Sequence, residues 1–138
     1  LRGKYAGAAA YLDGSFMPLS EAKIPVTHWG YRHSDVTYDV VGVKDGRFFR
    51  LDDHINRFRA SMTAIHMDPP QSDEEIRDIL MKLVLMADVR DAYVSMECLR
   101  ASPAPGALRS VSSPPCSSAA RRARASPRPC PATPPGSA

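Results

Sequence analysis

The chain has 138 residues, 43% of them hydrophobic and 24% charged, which is enough for one folded domain or for a domain with a tail. Its formal net charge is +3, but five of the 18 basic residues are arginines of the segment 101–138, which contains no acid. The first 100 residues therefore carry 13 basic and 15 acidic side chains, and this balance excludes the basic surface that a nucleic-acid-binding domain needs.

The cysteines and the apolar segments indicate in which cellular compartment the chain is expected. Cys98, Cys116 and Cys130 have no metal-ligand spacing and imply no disulfide framework, which predicts a reducing, cytoplasmic location. The apolar run 6–12 is too short for a signal sequence or a membrane span, so no membrane association is expected.

Two β-hairpins are predicted in the first 50 residues, each with two short runs of strand-forming residues around an Asp-Gly pair. The runs are 9–12 and 15–18 about Asp13-Gly14, and 37–43 and 47–50 about Asp45-Gly46. Asp-Gly favours a type I′ turn, because both central residues of that turn need a positive φ. A loop over residues 19–36 is predicted to join the hairpins.

Two helices are predicted next, because apolar residues recur there at helical spacing. They are Leu51, Ile55, Phe58, Met62 and Ile65 in the first helix, and Ile76, Ile79, Leu80, Leu83 and Val84 in the second. Asp52 or Asp53 is a candidate N-cap of the first helix. Ser72 and Glu75 have the spacing of a capping box at the start of the second helix.

A last strand is predicted over residues 92–99, which gives an α+β fold with a largely antiparallel sheet and two packed helices. The domain is predicted to cover residues 1–100. The segment 101–138 has nine prolines, no aromatic residue and no periodicity. It cannot bury enough apolar area to offset chain entropy, so a disordered tail is predicted.

Neither the histidines nor short sequence motifs indicate a metal site or a catalytic site by themselves. His28, His33, His54 and His66 have no mutual spacing that indicates a metal site, so no metal is predicted. The chain also has no glycine-rich phosphate loop, no nucleophile elbow and no paired-cysteine motif.

Three segments taken together resemble segments of a known protein family. Tyr11 opens the pattern YLDGSFMPLSEA, residues 30–46 read GYRHSDVTYDVVGVKDG, and Phe49 opens FRLDDHINR. This set resembles the N-terminal domain of class IV (fold type IV) pyridoxal-phosphate-dependent aminotransferases. Residues 33–40 look most like the (R)-selective amine transaminases and branched-chain-aminotransferase-like members. The resemblance covers about residues 9–100 and implies the small N-terminal domain of that fold, pyridoxal 5′-phosphate as cofactor, and a homodimer.

The resemblance also implies roles for particular residues. Arg57 stands three residues after the His of the third segment, where the family binds the cofactor phosphate; a guanidinium suits this role because it is always charged and donates in pairs. His33, Tyr38 and Val40 fall where similar transaminases line the substrate pocket. Tyr38 and Val40 share one face of a strand. The expected reaction is amino-group transfer from an amine or amino acid to a 2-oxo acid.

The family's catalytic lysine, which binds the cofactor covalently, belongs to the second domain, so no catalytic residue is predicted here. Lys4, Lys23, Lys44 and Lys82 are interpreted as surface residues. The chain is therefore expected to be inactive as it stands. The change of composition near residue 100 suggests a frameshift, which translation of the locus in the other two frames tests.

Two alternatives stay open at this point. The arginines of the segment 101–138 could make the chain a binding module for RNA or an acidic partner, although nucleic acid is not favoured. The chain could also be a regulatory subunit that pairs with a full-length aminotransferase.

Overall fold

The structure is a computed structural model that describes Tyr5, residues 7–102 and two short strands beyond them. The elements in chain order are β1 (Ala9–Leu12), β2 (Ser15–Pro18), α1 (Trp29–Arg32), β3 (Val36–Lys44), β4 (Arg47–Phe48), α2 (Leu51–Ala64), α3 (Asp73–Ala87), β5 (Ala92–Arg100), β6 (Cys116–Ser117) and β7 (Arg121–Arg124).

The strands form one antiparallel sheet. Their order is β2-β1-β7-β5-β3-β4, and β6 also pairs with β5. The pairing of β3 with β5 is the longest, running from Val36 opposite Leu99 to Val43 opposite Ala92. With α2 and α3 packed on this sheet, the predicted α+β architecture is confirmed.

Both predicted hairpins are present. The turn residues Asp13 and Gly14 have φ of 50° and 83°, and Asp45 and Gly46 have φ of 49° and 76°. Positive φ at both central positions is what a type I′ turn requires, so the Asp-Gly signals predicted the hairpins correctly.

The two helices begin differently. Ser72 caps α3 through the Glu75 N–H, which donates to Oγ at 3.2 Å, while Glu75 Oε2 accepts from the Ser72 N–H at 2.7 Å. The capping box is therefore confirmed. The predicted N-cap of α2 is wrong, because Arg50 occupies that position in a left-handed conformation and Asp52 and Asp53 lie inside the first turn. There the two carboxylates still face the positive end of the helix dipole.

The core lies between the sheet and the helices. Alternation along β3 and β5 turns Val41, Val43, Val94 and Met96 inward, where the predicted helix stripes meet them. Phe58, at 0% exposure, is the largest of the fully buried side chains.

The segment between the hairpins contains one feature that the pattern did not predict. Residues 29–32 form the short helix α1, and the next strand already begins at Val36. Gly30 lets α1 approach β5 so closely that a Cβ there would stand 2.8 Å from the Arg100 nitrogen. This contact depends on tertiary packing, so local sequence patterns do not reveal it.

The predicted tail falls mostly outside the described residues. Two short strands of this segment are described, and β6 pairs with β5 while β7 pairs with β5 and β1. The physical reason is that backbone N–H and C=O groups can extend a sheet whatever the side chains are. For the rest of the segment, disorder and the domain boundary at residue 100 stay predictions.

Two further observations concern membrane-spanning helices and the cysteines. No helix in the described part of the chain is long and apolar enough to cross a membrane. Cys98 on β5 is disulfide-bonded, which corrects the expectation that the cysteines imply no disulfide. Sequence spacing alone could not show this, because strand pairing decides what lies beside β5.

Candidate functional site

A buried carboxylate marks the candidate site. Asp39 lies on β3 at an inward-facing position that continues the row of Val41 and Val43, and it is only 4% exposed. A charge in that position needs partners, because an unpaired buried carboxylate costs several kcal/mol, on the order of 3–5 when one member of a buried pair is removed.

Both partners of Asp39 come from helix α2. The Arg57 guanidinium donates from Nε to Asp39 Oδ2 at 2.6 Å and from Nη2 to Oδ1 at 2.8 Å. His54 Nδ1 lies 2.7 Å from Oδ1 of the same carboxylate. His54 and Arg57 are three residues apart, so they lie on one face of the helix, directed at β3.

The pairing sets the ionisation of the cluster. Burial alone would raise the pKa of Asp39, but hydrogen bonds and charge interactions with Arg57 and His54 outweigh it and hold that pKa below its ordinary value. The hydrogen bond to Asp39 and its charge raise the pKa of Arg57. The pair is therefore ionised throughout the physiological range.

Arg57 keeps binding capacity after satisfying Asp39. A guanidinium has five N–H donors, and Asp39 takes one from Nε and one from Nη2. Nη2 also lies 3.2 Å from His54 Nδ1. The side of the guanidinium formed by Nε and Nη2 is thus occupied, and the side chain as a whole is 66% exposed. A fixed guanidinium with an open side is suited to a phosphate or carboxylate.

The cluster lies beside an open stretch of sheet edge. One edge of β3 pairs with β5, while β4 covers the other edge only at Val43 and Lys44. Along residues 36–41, no described strand pairs with that second edge. Asp39, the partner of Arg57, belongs to this stretch of β3.

The predicted pocket residues Tyr38 and Val40 share the outer face of β3, opposite to Asp39. They are 69% and 38% exposed, and their neighbours on β5 are Glu97 and Ser95. The structure thus confirms that the two side chains share one face. Arg57 bonds to Asp39, whose side chain lies on the other face of the strand.

The third predicted pocket residue, His33, lies just after α1. Its ring stacks on Trp29 with centroids 4.0 Å apart, and Nδ1 lies 2.9 Å from the Trp29 carbonyl oxygen. No described contact joins His33 to Arg57 or Tyr38. Its part in a pocket stays a prediction.

A second ion pair anchors the chain that leads into β3. Arg100 donates from Nε to Asp35 and from Nη2 to the Ile65 carbonyl oxygen at 2.5 Å. Arg100 is 15% exposed, so it joins the end of β5, the start of β3 and the end of α2 from a mostly buried position. These contacts of Arg100 fix the start of β3, the strand that contains Asp39.

Sequence reasoning missed Asp39 and His54 as site residues. One signal could have found Asp39. Strand alternation places it on the apolar face with Val41 and Val43, where a carboxylate must have a partner. His54 gives no such signal, because its role depends on how α2 packs on β3.

Two lysines and a cavity lie elsewhere in the described part of the chain. Lys44 pairs with Asp91 at 2.8 Å, and the Lys82 ammonium lies 4.2 Å from the centre of the Phe16 ring. A cavity of about 450 Å³ between the first hairpin and α3 includes Lys82 in its wall. Within the described residues, no group of three His, Cys, Asp or Glu side chains could hold a metal ion.

Comparison with known proteins identifies relatives of one kind. Residues 37–135 match the family model described as amino-transferase class IV. A putative branched-chain-amino-acid aminotransferase of Methanocaldococcus jannaschii is 30% identical over 90 residues, which are 65% of this chain and 31% of that protein. A D-alanine aminotransferase of Listeria monocytogenes is 33% identical over 89 residues, 64% of this chain and 31% of that protein.

Solved structures agree on the fold. A branched-chain amino acid aminotransferase with pyridoxamine 5′-phosphate superposes with a TM-score of 0.72 at 21% identity, over 84% of this chain and 39% of that one. The Escherichia coli branched-chain enzyme gives 0.70 at 15% identity, over 87% and 40%. The chain spans about a third of the length of the curated relatives it matches. None of these relatives supports the alternative of an RNA-binding module.

Proposed function

Because the chain belongs to the class IV aminotransferase family, we propose that it supplies the phosphate-binding arginine and one pocket wall of a pyridoxal-phosphate-dependent aminotransferase. The observation that carries this proposal is Arg57, which Asp39 fixes on one side and which is open on the other. The cofactor, when bound, supplies the electron sink for amino-group transfer.

The residues of the cluster fit a phosphate ester. Arg57 uses Nε and Nη2 for Asp39 and is still 66% exposed, and guanidinium donors match phosphate oxygens. Asp39 is already paired with Arg57 and His54, so its charge is compensated before any anion arrives.

The outer face of β3 suits the substrate side of such a site. Tyr38 and Val40 present an aromatic and an aliphatic side chain on the exposed face of β3. Strand side chains hold such a wall more rigidly than a loop does. We place Tyr38 and Val40 in contact with the substrate side chain and His33 at the end of that wall.

The proposed substrates follow from the names of the relatives. The curated relatives are named for branched-chain amino acids and D-alanine. We therefore propose an amino acid as amino donor and a 2-oxo acid as acceptor, whereas an amine donor, a homodimer and a cytoplasmic location are proposed on the sequence resemblance alone. The catalytic lysine of the reaction is assigned to no residue of this chain.

Phosphate recognition is tested by ligand binding. Pyridoxamine 5′-phosphate is the probe, because its amine forms no imine with surface lysines, and pyridoxamine without phosphate is the reference. Binding followed by ligand fluorescence should favour the phosphate form by about 10-fold or more, since charge-assisted pairs contribute about 1.5–3 kcal/mol. Arg57→Gln should remove this preference.

The matched control is Arg77→Gln, which removes another helix arginine that pairs with an aspartate, Asp52. This variant should bind as the unmodified chain does. Equal affinity for both probes in the unmodified chain, or an unchanged preference in Arg57→Gln, would contradict the proposed role of Arg57.

A further inference from the structure

We infer that Asp39 is a positioning residue of the phosphate site, which holds one side of the Arg57 guanidinium so that the other side is presented to the anion. This inference rests on the proposed function of Arg57. It adds a requirement that neither the family match nor the relatives assign, namely a buried carboxylate on the strand.

Asp39 is held rigidly by the strand, whereas the Arg57 side chain is long and exposed. Asp39 lies in the middle of β3, where residue pairs with β5 continue on both sides, and it is 4% exposed. Arg57 is a long side chain that is 66% exposed. Without a fixed partner, such a side chain samples many rotamers, and binding an anion would have to restrict them.

The bidentate contact removes most of that freedom. Nε and Nη2 both donate to Asp39, so the plane of the guanidinium and its rotation are set by a carboxylate that the strand holds in place. His54 holds the carboxylate itself, with Nδ1 at 2.7 Å from Oδ1. The strand β3 therefore fixes Asp39, and Asp39 in turn fixes the Arg57 guanidinium.

Simple electrostatics gives the opposite expectation. Asp39 is negative, and a negative group behind Arg57 reduces the attraction between Arg57 and an incoming anion. Neutralising Asp39 should then tighten anion binding. If Asp39 acts by positioning, the same change should weaken binding, because Arg57 loses its fixed orientation. The sign of the effect distinguishes the two.

The experiment measures the dissociation constant of pyridoxamine 5′-phosphate for the whole chain and for Asp39→Asn. We expect the variant to bind about 10-fold more weakly, which is the lower end of the loss seen when a residue that orients a metal ligand is removed. Binding of pyridoxamine should not change. The matched control is Asp73→Asn, which removes the aspartate that pairs with Arg59 on the same helix as Arg57.

A spectroscopic readout separates positioning from general destabilisation. The Nε–H signal of Arg57 in proton–nitrogen spectra should exchange slowly with water in the unmodified chain and rapidly in Asp39→Asn. If Asp39→Asn does not fold, Asp39→Glu is the second variant. It keeps the charge but moves the carboxylate by one methylene, and it should also weaken binding of the phosphate probe.

The outcomes are distinguishable. If Arg57→Gln abolishes the phosphate preference while Asp39→Asn and Asp39→Glu bind as tightly as the unmodified chain or more tightly, the inference about Asp39 is overturned and the proposed function stands. If Arg57→Gln itself has no effect, the proposed function fails first.

Discussion

Replacing Gly30 by alanine is expected to destabilise the chain, although alanine is the better helix former. Gly30 lies in α1, and a Cβ there would stand 2.8 Å and 2.9 Å from the backbone nitrogen and oxygen of Arg100 and 3.0 Å from the Asp35 oxygen. These atoms cannot move aside singly, because the Arg100 N–H donates to the Asp35 carbonyl oxygen at 3.1 Å.

Two opposing effects decide the magnitude. Intrinsic helix preference favours alanine over glycine by about 1 kcal/mol. Forcing an extra methyl group into a packed position costs about 1–3 kcal/mol and shifts the backbone. Contacts below 3.0 Å with backbone atoms place Gly30 at the upper end of that range, so we expect a net loss of about 2 kcal/mol. The chain leading into β3 should shift with it.

The assay is unfolding in urea followed by circular dichroism, with Gly42→Ala as the matched control. Gly42 lies on β3, where a Cβ would meet only the Tyr93 ring at 3.9 Å, an ordinary contact. We expect Gly42→Ala to be neutral or stabilising by about 0.5–1 kcal/mol. If Gly30→Ala unfolds at the same urea concentration as Gly42→Ala, with equal slopes, the close packing of α1 on β5 is refuted.

Three further predictions concern the core, the second helix and pH. Phe58→Ala should lower the free energy of unfolding by about 3–5 kcal/mol, because the side chain is fully buried. The control Leu85→Ala, at a residue that is 77% exposed, should change it by about 0.5 kcal/mol or less. Similar unfolding midpoints for the two variants would contradict the described core. Ser72→Ala should cost about 1 kcal/mol by removing the capping box, measured as a loss of thermal stability and helical signal. The folded pKa of Asp39 lies below the unfolded value of about 3.9, so its stabilising contribution is present above that value and is lost as pH falls through the folded pKa. The difference in unfolding free energy between the unmodified chain and Asp39→Asn should therefore shrink below about pH 4, and a difference that is constant down to about pH 2 would refute the coupling.

Local signals in the sequence were sufficient where the physical cause is local. Asp-Gly pairs predicted both hairpins, because the turn type depends on the φ preferences of two residues. The spacing of apolar residues predicted α2 and α3, and Ser72 marked the start of α3. The start of α2 was predicted wrongly, because Arg50 enters the helix directly from the hairpin in a left-handed conformation.

The amino-acid sequence by itself therefore determined the order of the main elements, the faces of the helices and the position of Arg57 three residues after a histidine. Only the tertiary structure decided that Asp39 joins His54 and Arg57, and that Tyr38 lies on the opposite face of the same strand. It also decided that α1 packs on the end of β5. The physical reason is that hydrogen bonds between a strand and a helix 15 to 18 residues later depend on how the two elements pack, which no local pattern encodes.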